Sequence, residues 1–168
     1  TSGTTGRPKG VLLTHRNVLY EMAAAERAGI VVPRVRWVSY LPLAHIAERM
    51  FSIYLAIGAV SHVHFCRDAA QLVRVIGQVR PTAFFGVPRV WEKIRAGIQA
   101  LLAAEPDEGK RAAMARAMEV GRRYVHSCQY GQATPAELAA QFRAADEQVL
   151  GPVRGMLGLG EAVAVFSA

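Results

Sequence analysis

Thr1-Ser2-Gly3-Thr4-Thr5-Gly6-Arg7-Pro8-Lys9-Gly10 opens the chain, and the purpose of these ten residues settles which fold the rest must build. They bring together four hydroxyl side chains, three glycines and Lys9, with Pro8 stiffening the turn before the lysine. Glycine lets the backbone approach a ligand with no Cβ in the way, hydroxyls and main-chain N–H groups donate to phosphate oxygens, and the ammonium neutralises charge. Such a set suits a polyphosphate. It is not a Walker A loop, which places four residues between its glycines and a Ser or Thr after the lysine. Here Gly3 and Gly6 enclose two residues, and Gly10 follows Lys9. A Ser/Thr/Gly-rich surface turn has the same composition, so composition alone weighs the two readings equally.

Beyond the loop, short apolar runs alternate with longer helical patterns, the signature of an α/β fold with a parallel sheet flanked by helices. The runs 37–41, 62–66, 82–87 and 163–167 read as strands. Asp68 followed by Gln71 resembles a capping box, and Leu72, Val75, Ile76 and Val79 then repeat at helical spacing. After Pro88, the residues Val90, Ile94, Ile98, Leu101 and Leu102 form another apolar stripe that stops at Pro106. Pro106 to Gly109 reads as a turn, and an Ala/Arg-rich helix follows over 110–130. Thr134-Pro135-Ala136-Glu137 predicts an N-cap, a proline at the first helical position and a reciprocal glutamate. Residues 88–150 therefore read as a helical insertion between strands, and glycine-rich 151–160 as a loop.

At 168 residues the chain is one domain's worth of mass, with 52% hydrophobic and 20% charged residues, so a packed core is within reach. The net charge of +7 would suit nucleic acid if it were clustered, but the arginines are spread along the sequence, so no nucleic-acid partner is expected. Cys66 and Cys128 are too few for a disulfide scaffold and point to a reducing, cytoplasmic setting. No secretory signal is evident, and the longest apolar stretch, 50–60, is broken by Ser52 and Gly58. His62, His64 and Cys66 alternate and would share a strand face as a metal site would, yet no fourth ligand lies nearby in sequence, and an ordinary sheet face is the preferred reading.

The order of residues says more than the composition. The decapeptide resembles the phosphate-binding signature of the AMP-forming adenylate synthetases, the superfamily of acyl-CoA synthetases, luciferases and nonribosomal peptide adenylation domains, at all ten positions. The passage Val11-Leu12-Leu13-Thr14-His15-Arg16-Asn17 is similar to that family's step from loop to helix. Leu41-Pro42-Leu43-Ala44-His45-Ile46-Ala47-Glu48-Arg49 looks like its second core motif in the long-chain fatty acyl-CoA synthetase form. Pro81 to Ile94, with Gly86-Val87-Pro88-Arg89-Val90-Trp91, resembles the strand-to-helix passage of the same subfamily, and the helical insertion fits long-chain members best.

The resemblance implies an ATP-dependent long-chain fatty acid–CoA ligase. A fatty acid carboxylate attacks the α-phosphorus of MgATP to give acyl-AMP and pyrophosphate, and the thiol of coenzyme A then displaces AMP. By the same resemblance Thr1, Ser2, Gly3, Thr4, Thr5 and Gly6 wrap the β- and γ-phosphates, Lys9 stabilises their charge, and Thr4 lies near the Mg²⁺. His45 takes the place that borders the carboxylate and gates the acyl path. Without the resemblance, His45 reads more readily as a partly buried histidine bonded to backbone, and Arg89 and Trp91 as helix residues of the core. The alternatives are another adenylate-forming enzyme, such as a fatty acyl-AMP ligase or aryl-CoA ligase, and a non-catalytic nucleotide- or nucleic-acid-binding module.

Loops of this kind follow a strand, and the family's adenine-, ribose- and lysine-bearing segments follow the apolar run 162–168. The expectation is therefore of an internal part of the large N-terminal domain of a longer synthetase, partnered by the rest of that chain and inactive alone. The basic helix 110–130 suggests peripheral contact with an anionic membrane, but a solvated face is preferred.

Overall fold

The computed structural model describes residues 10–167, so of the phosphate loop only Gly10 is included, and Thr1 to Lys9 lie outside the described residues. The chain divides into two compact units, residues 1–85 with 162–166 and residues 86–161 with 167–168.

The first unit is a small sheet between helices. Helix α1 (His15–Arg27) starts where Thr14 and Asn17 close a reciprocal capping box, with the Asn17 N–H donating to Thr14 Oγ1 and Thr14 N–H to Asn17 Oδ1. Strand β1 (Arg36–Ser39) pairs in parallel with β2 (His62–Phe65), in the register Arg36 with His62 and Val38 with His64. Strand β3 (Ala83–Gly86) pairs with β4 (Ala164–Ser167). Thr82 joins the two ribbons: its N–H donates to Arg36 O at 3.1 Å, and its own carbonyl accepts from Val163 N at 2.8 Å. The spatial order is therefore β2, β1, β3, β4. All four strands match the sequence reading to within a residue or two at each end.

Side chains alternate across this sheet, and aromatic rings mark both faces. On one face, Phe51 stacks on Trp37 (4.9 Å), Phe85 (5.1 Å) and Phe166 (6.0 Å), one ring from each of three strands. On the other, Tyr40 lies over Phe84 at 6.0 Å, and Phe84 is fully buried. Phe51 is carried by one helical run made of α2 (Ile46–Arg49), a π-helical turn Met50–Tyr54 and α3 (Leu55–Gly58). The extra residue of a π turn rotates the succeeding helix by about 100° relative to an unbroken α-helix.

Helix α4 (Leu72–Val79) packs along β1 with Leu72 and Ile76 buried. It is led in by a single 3-10 turn, Ala69–Gln71, in which Asp68 Oδ1 accepts the Ala70 N–H. The cap predicted at Asp68 exists, but it closes one residue earlier than a capping box would. At the other end Arg80 turns left-handed, and the Arg36 guanidinium donates to Val79 O and Arg80 O (2.8–3.3 Å), placing a cation on the helix's unpaired carbonyls.

The second unit is helical, as the insertion predicts: α5 (Pro88–Ala104), α6 (Glu108–Ser127), α7 (Ala136–Ala145), a π turn Asp146–Leu150 and α8 (Gly151–Met156). Asp107 caps α6 by accepting the Lys110 N–H, so Glu108 and Gly109, read as turn residues, are already helical. Two further expectations are corrected. Thr134 does not cap α7; Pro135 is the N-cap, and the Thr134 hydroxyl sits 2.9 Å from Ser127 Oγ and 3.0 Å from Cys128 Sγ at the end of α6. Residues 151–156 are helix rather than loop. Pro152 has no N–H to give, and it follows directly on the π turn, where the Gly151 N–H already reaches back five residues to Asp146 O. The glycine-rich loop begins only at Leu157.

Candidate active site

Of the predicted site residues, Thr1, Ser2, Gly3, Thr4, Thr5, Gly6 and Lys9 lie outside the described residues, so the described geometry is that of His45 and its loop. In open parallel sheets, ligands bind beyond the carboxyl ends of the strands. His45 stands there, six residues past the end of β1 and at the N-cap of α2. It is exposed, and its Nδ1 accepts the Ala47 N–H at 3.3 Å. That bond assigns the neutral ring its proton at Nε2, the nitrogen that does not face the helix, so Nε2–H is the donor offered outward. The expectation of a partly buried ring is corrected; that of a ring bonded to backbone holds.

The loop between β1 and His45 is held from beneath by a residue the sequence reading passed over. Glu48 is 2% exposed, accepting the Leu41 N–H at Oε2 (3.3 Å) and the Ser52 hydroxyl at Oε1 (2.5 Å). A buried carboxylate is tolerated when its oxygens are satisfied by donors, and here one comes from the loop and one from the π turn. The His45 N–H closes the loop's own turn on Pro42 O at 2.9 Å. Arg49 reaches the Tyr54 hydroxyl at 3.1 Å. The only sequence signal for the clamp is the spacing of Glu48 and Ser52, four apart and so on one helix face.

Ile46, Ala47, Met50 and Phe51 also line an apolar groove of about 410 Å³ against Leu13 and Val18. Charge is unevenly divided as well. Residues 1–85 carry ten Lys/Arg against four Asp/Glu, whereas residues 86–168 carry ten against nine. The basic residues are spread along the chain as read, but the acids are not, and the excess falls on the part that holds the loop and His45.

In the second unit, Trp91 lies flat against Gly86. Its Nε1–H donates to Gly86 O at 2.8 Å, and a Cβ at Gly86 would stand 2.5–2.8 Å from the indole. Arg89 is exposed on α5.

The family model for AMP-binding enzymes matches residues 1–168, and the chain belongs to that family. Among curated proteins it is similar to fadD11 of Mycobacterium tuberculosis, which bears the name of a fatty-acid–CoA ligase, with 43% identity over 161 residues, 96% of this chain and 28% of that protein. It is also similar to the long-chain-fatty-acid–CoA ligase ACSBG2 of Gallus gallus, 36% identical over 174 residues, 99% of this chain and 22% of the relative. The long-chain-fatty-acid–CoA ligase heimdall of Drosophila melanogaster is 34% identical over 174 residues, 99% and 25%. The chain thus spans about a quarter of the length of the relatives it matches. No solved structure matches it. Among the described residues, no helix is long and apolar enough to cross a membrane.

Proposed function

We propose that the chain belongs to the large N-terminal domain of an ATP-dependent long-chain fatty acid–CoA ligase and supplies its phosphate loop and part of its acyl site. In the first step the fatty acid carboxylate attacks the α-phosphorus of MgATP and pyrophosphate leaves. In the second, the coenzyme A thiol attacks the acyl carbonyl and AMP leaves. Neither step needs a protein nucleophile, so the protein's task is to position the reactants and to stabilise the charge that develops. Thr1, Ser2, Gly3, Thr4, Thr5 and Gly6 donate to the β- and γ-phosphates, Lys9 offsets their charge, and the Thr4 hydroxyl is an oxygen ligand of the kind Mg²⁺ takes. His45 offers Nε2–H towards the carboxylate, and the groove beside it receives the apolar chain.

The observation that carries this reading is the decapeptide itself, within a chain matched by the AMP-binding family over its whole length. The basic excess of residues 1–85 and the outward Nε2–H of His45 support it. Because the relatives are about four times longer, the activity is assigned to an enzyme of their length. The test is pyrophosphate release by the full-length ligase carrying Lys9→Ala. Release should fall at least a hundredfold with the circular dichroism spectrum unchanged, and wild-type rates would overturn the assignment.

A further inference from the structure

The face of β2 turned away from Phe51 carries two histidines at alternate positions, His62 and His64, whose ring centroids lie 4.2 Å apart. Alternate residues of a strand are separated by roughly 6.6 Å along the backbone, so the two rings lean together rather than standing parallel above their own Cα atoms. His64 Nε2 is buried and has no hydrogen-bond partner, while His62 beside it is exposed. A buried ring nitrogen with no protein partner is free to bind a further group, and the neighbouring imidazole stands close enough to share it. The Cys66 thiol, which the alternation would add to the set, is engaged elsewhere, with Sγ 3.1 Å from Asp68 O. Among the described residues no group of three His, Cys, Asp or Glu is placed to hold a metal, so any ion here would have two protein ligands and water in its other positions.

We propose that His62 and His64 form a two-histidine site for a divalent transition-metal ion, independent of the nucleotide site. Imidazole nitrogens bind such ions at about 2.0–2.1 Å, which sets the two nitrogens roughly 3–3.4 Å apart, within reach of rings already this close through side-chain rotation alone. The ion's identity follows from the ligands. The set has two imidazoles and no carboxylate or carbonyl oxygen, which gives hard cations none of the oxygen ligands they require. Borderline ions bond to imidazole, so the site takes Cu²⁺ more tightly than Ni²⁺ and Zn²⁺, in the general order of affinities, and does not take Mg²⁺ or Ca²⁺. This separates it from the magnesium of the ATP substrate.

The test is calorimetric titration of the metal-free chain with Cu²⁺, Zn²⁺ and Mg²⁺ in turn, with the copper absorption spectrum as a second readout. One equivalent of Cu²⁺ should bind more tightly than Zn²⁺, with Mg²⁺ silent. His62→Ala and His64→Ala should each weaken Cu²⁺ binding at least tenfold, whereas His45→Ala and His126→Ala leave it unchanged. Should His64→Ala disturb the sheet, His62→Gln at the exposed position makes the same test in a folded protein, confirmed by circular dichroism. No binding at about 100 µM Cu²⁺, binding that survives both β2 substitutions, or loss only with His45 or His126 would each overturn the site.

Discussion

Glu48 Oε2 accepts the backbone N–H of Leu41 across 3.3 Å, tying the residue that follows the His45 turn to the one that precedes it. The same carboxylate takes the Ser52 hydroxyl, so a single buried side chain fixes both the loop after β1 and the π turn that carries Phe51 to the sheet. Truncating it leaves the buried Ser52 hydroxyl and the part-buried Leu41 N–H without their acceptor. Glu48→Ala should therefore cost about 2–3 kcal/mol, and Glu48→Gln, which retains one acceptor oxygen, about half of that. Urea denaturation of the chain measures both. A loss below about 0.5 kcal/mol for the alanine variant is the range of an ordinary surface change and would mean that Glu48 is not a clamp.

At Gly86 a methyl group would run into an aromatic ring. A Cβ added there would meet three atoms of the Trp91 indole at 2.5–2.8 Å, so the ring must leave the Gly86 carbonyl it now donates to. Overpacking of this kind costs about 1–3 kcal/mol. Gly86→Ala in a Trp37→Phe background leaves Trp91 as the sole tryptophan, and its emission should shift to the red as the indole is freed. An unshifted spectrum would show that the ring stays in place.

What could be read from the sequence and what could not divide along a physical line. The strands follow from short apolar runs and α4 from a period of 3.6 residues, which are local signals, and they fall where the pattern put them. The π turns at Met50–Tyr54 and Asp146–Leu150 have no such signature, because one extra residue per turn is set by what the helix packs on. Thr134 has the spacing of a cap, but its hydroxyl goes to Ser127 and Cys128, a contact back along the chain that no local motif records. At the site, His45 was legible only because its surroundings match a family motif. Glu48, between Ala47 and Arg49, reads as a solvated acid, and its burial depends on donors supplied by two separate segments.

Val60 sits in the left-handed region at φ 53°, one residue past the C-cap of α3, with the Ser61 N–H closing on Ala56 O and its own N–H on Ile57 O. That closure is the usual helix-ending motif, but its left-handed position favours glycine, and a β-branched residue is strained there. The side chain is 74% exposed, so little burial is lost with it. Val60→Gly should stabilise the chain by about 0.5–1 kcal/mol, the strain relieved outweighing the backbone freedom that glycine adds to the unfolded state. The melting temperature should rise by roughly 1–3 °C for a chain of this size. A fall would show that the valine contributes packing that offsets its backbone strain.

The two thiols differ in environment and should differ in chemistry. Burial pushes the Cys66 thiol above its ordinary value, and the residue is 7% exposed. Cys128 is exposed at the end of α6. The thiolate is the reactive form, so a raised pKa leaves less of it at a given pH, and burial slows the approach of a reagent as well. At about pH 8, Ellman's reagent should modify one thiol quickly and the second at least a hundredfold more slowly, with Cys128→Ser abolishing the fast phase. As pH rises from about 8 towards 10, the Cys66 thiolate fraction keeps growing beyond the range in which a free thiol in solution titrates, so the slow phase should still be accelerating at the top of that range. Two thiols reacting together at that starting pH in the folded chain would place Cys66 at the surface and undo the packing assigned to the end of β2.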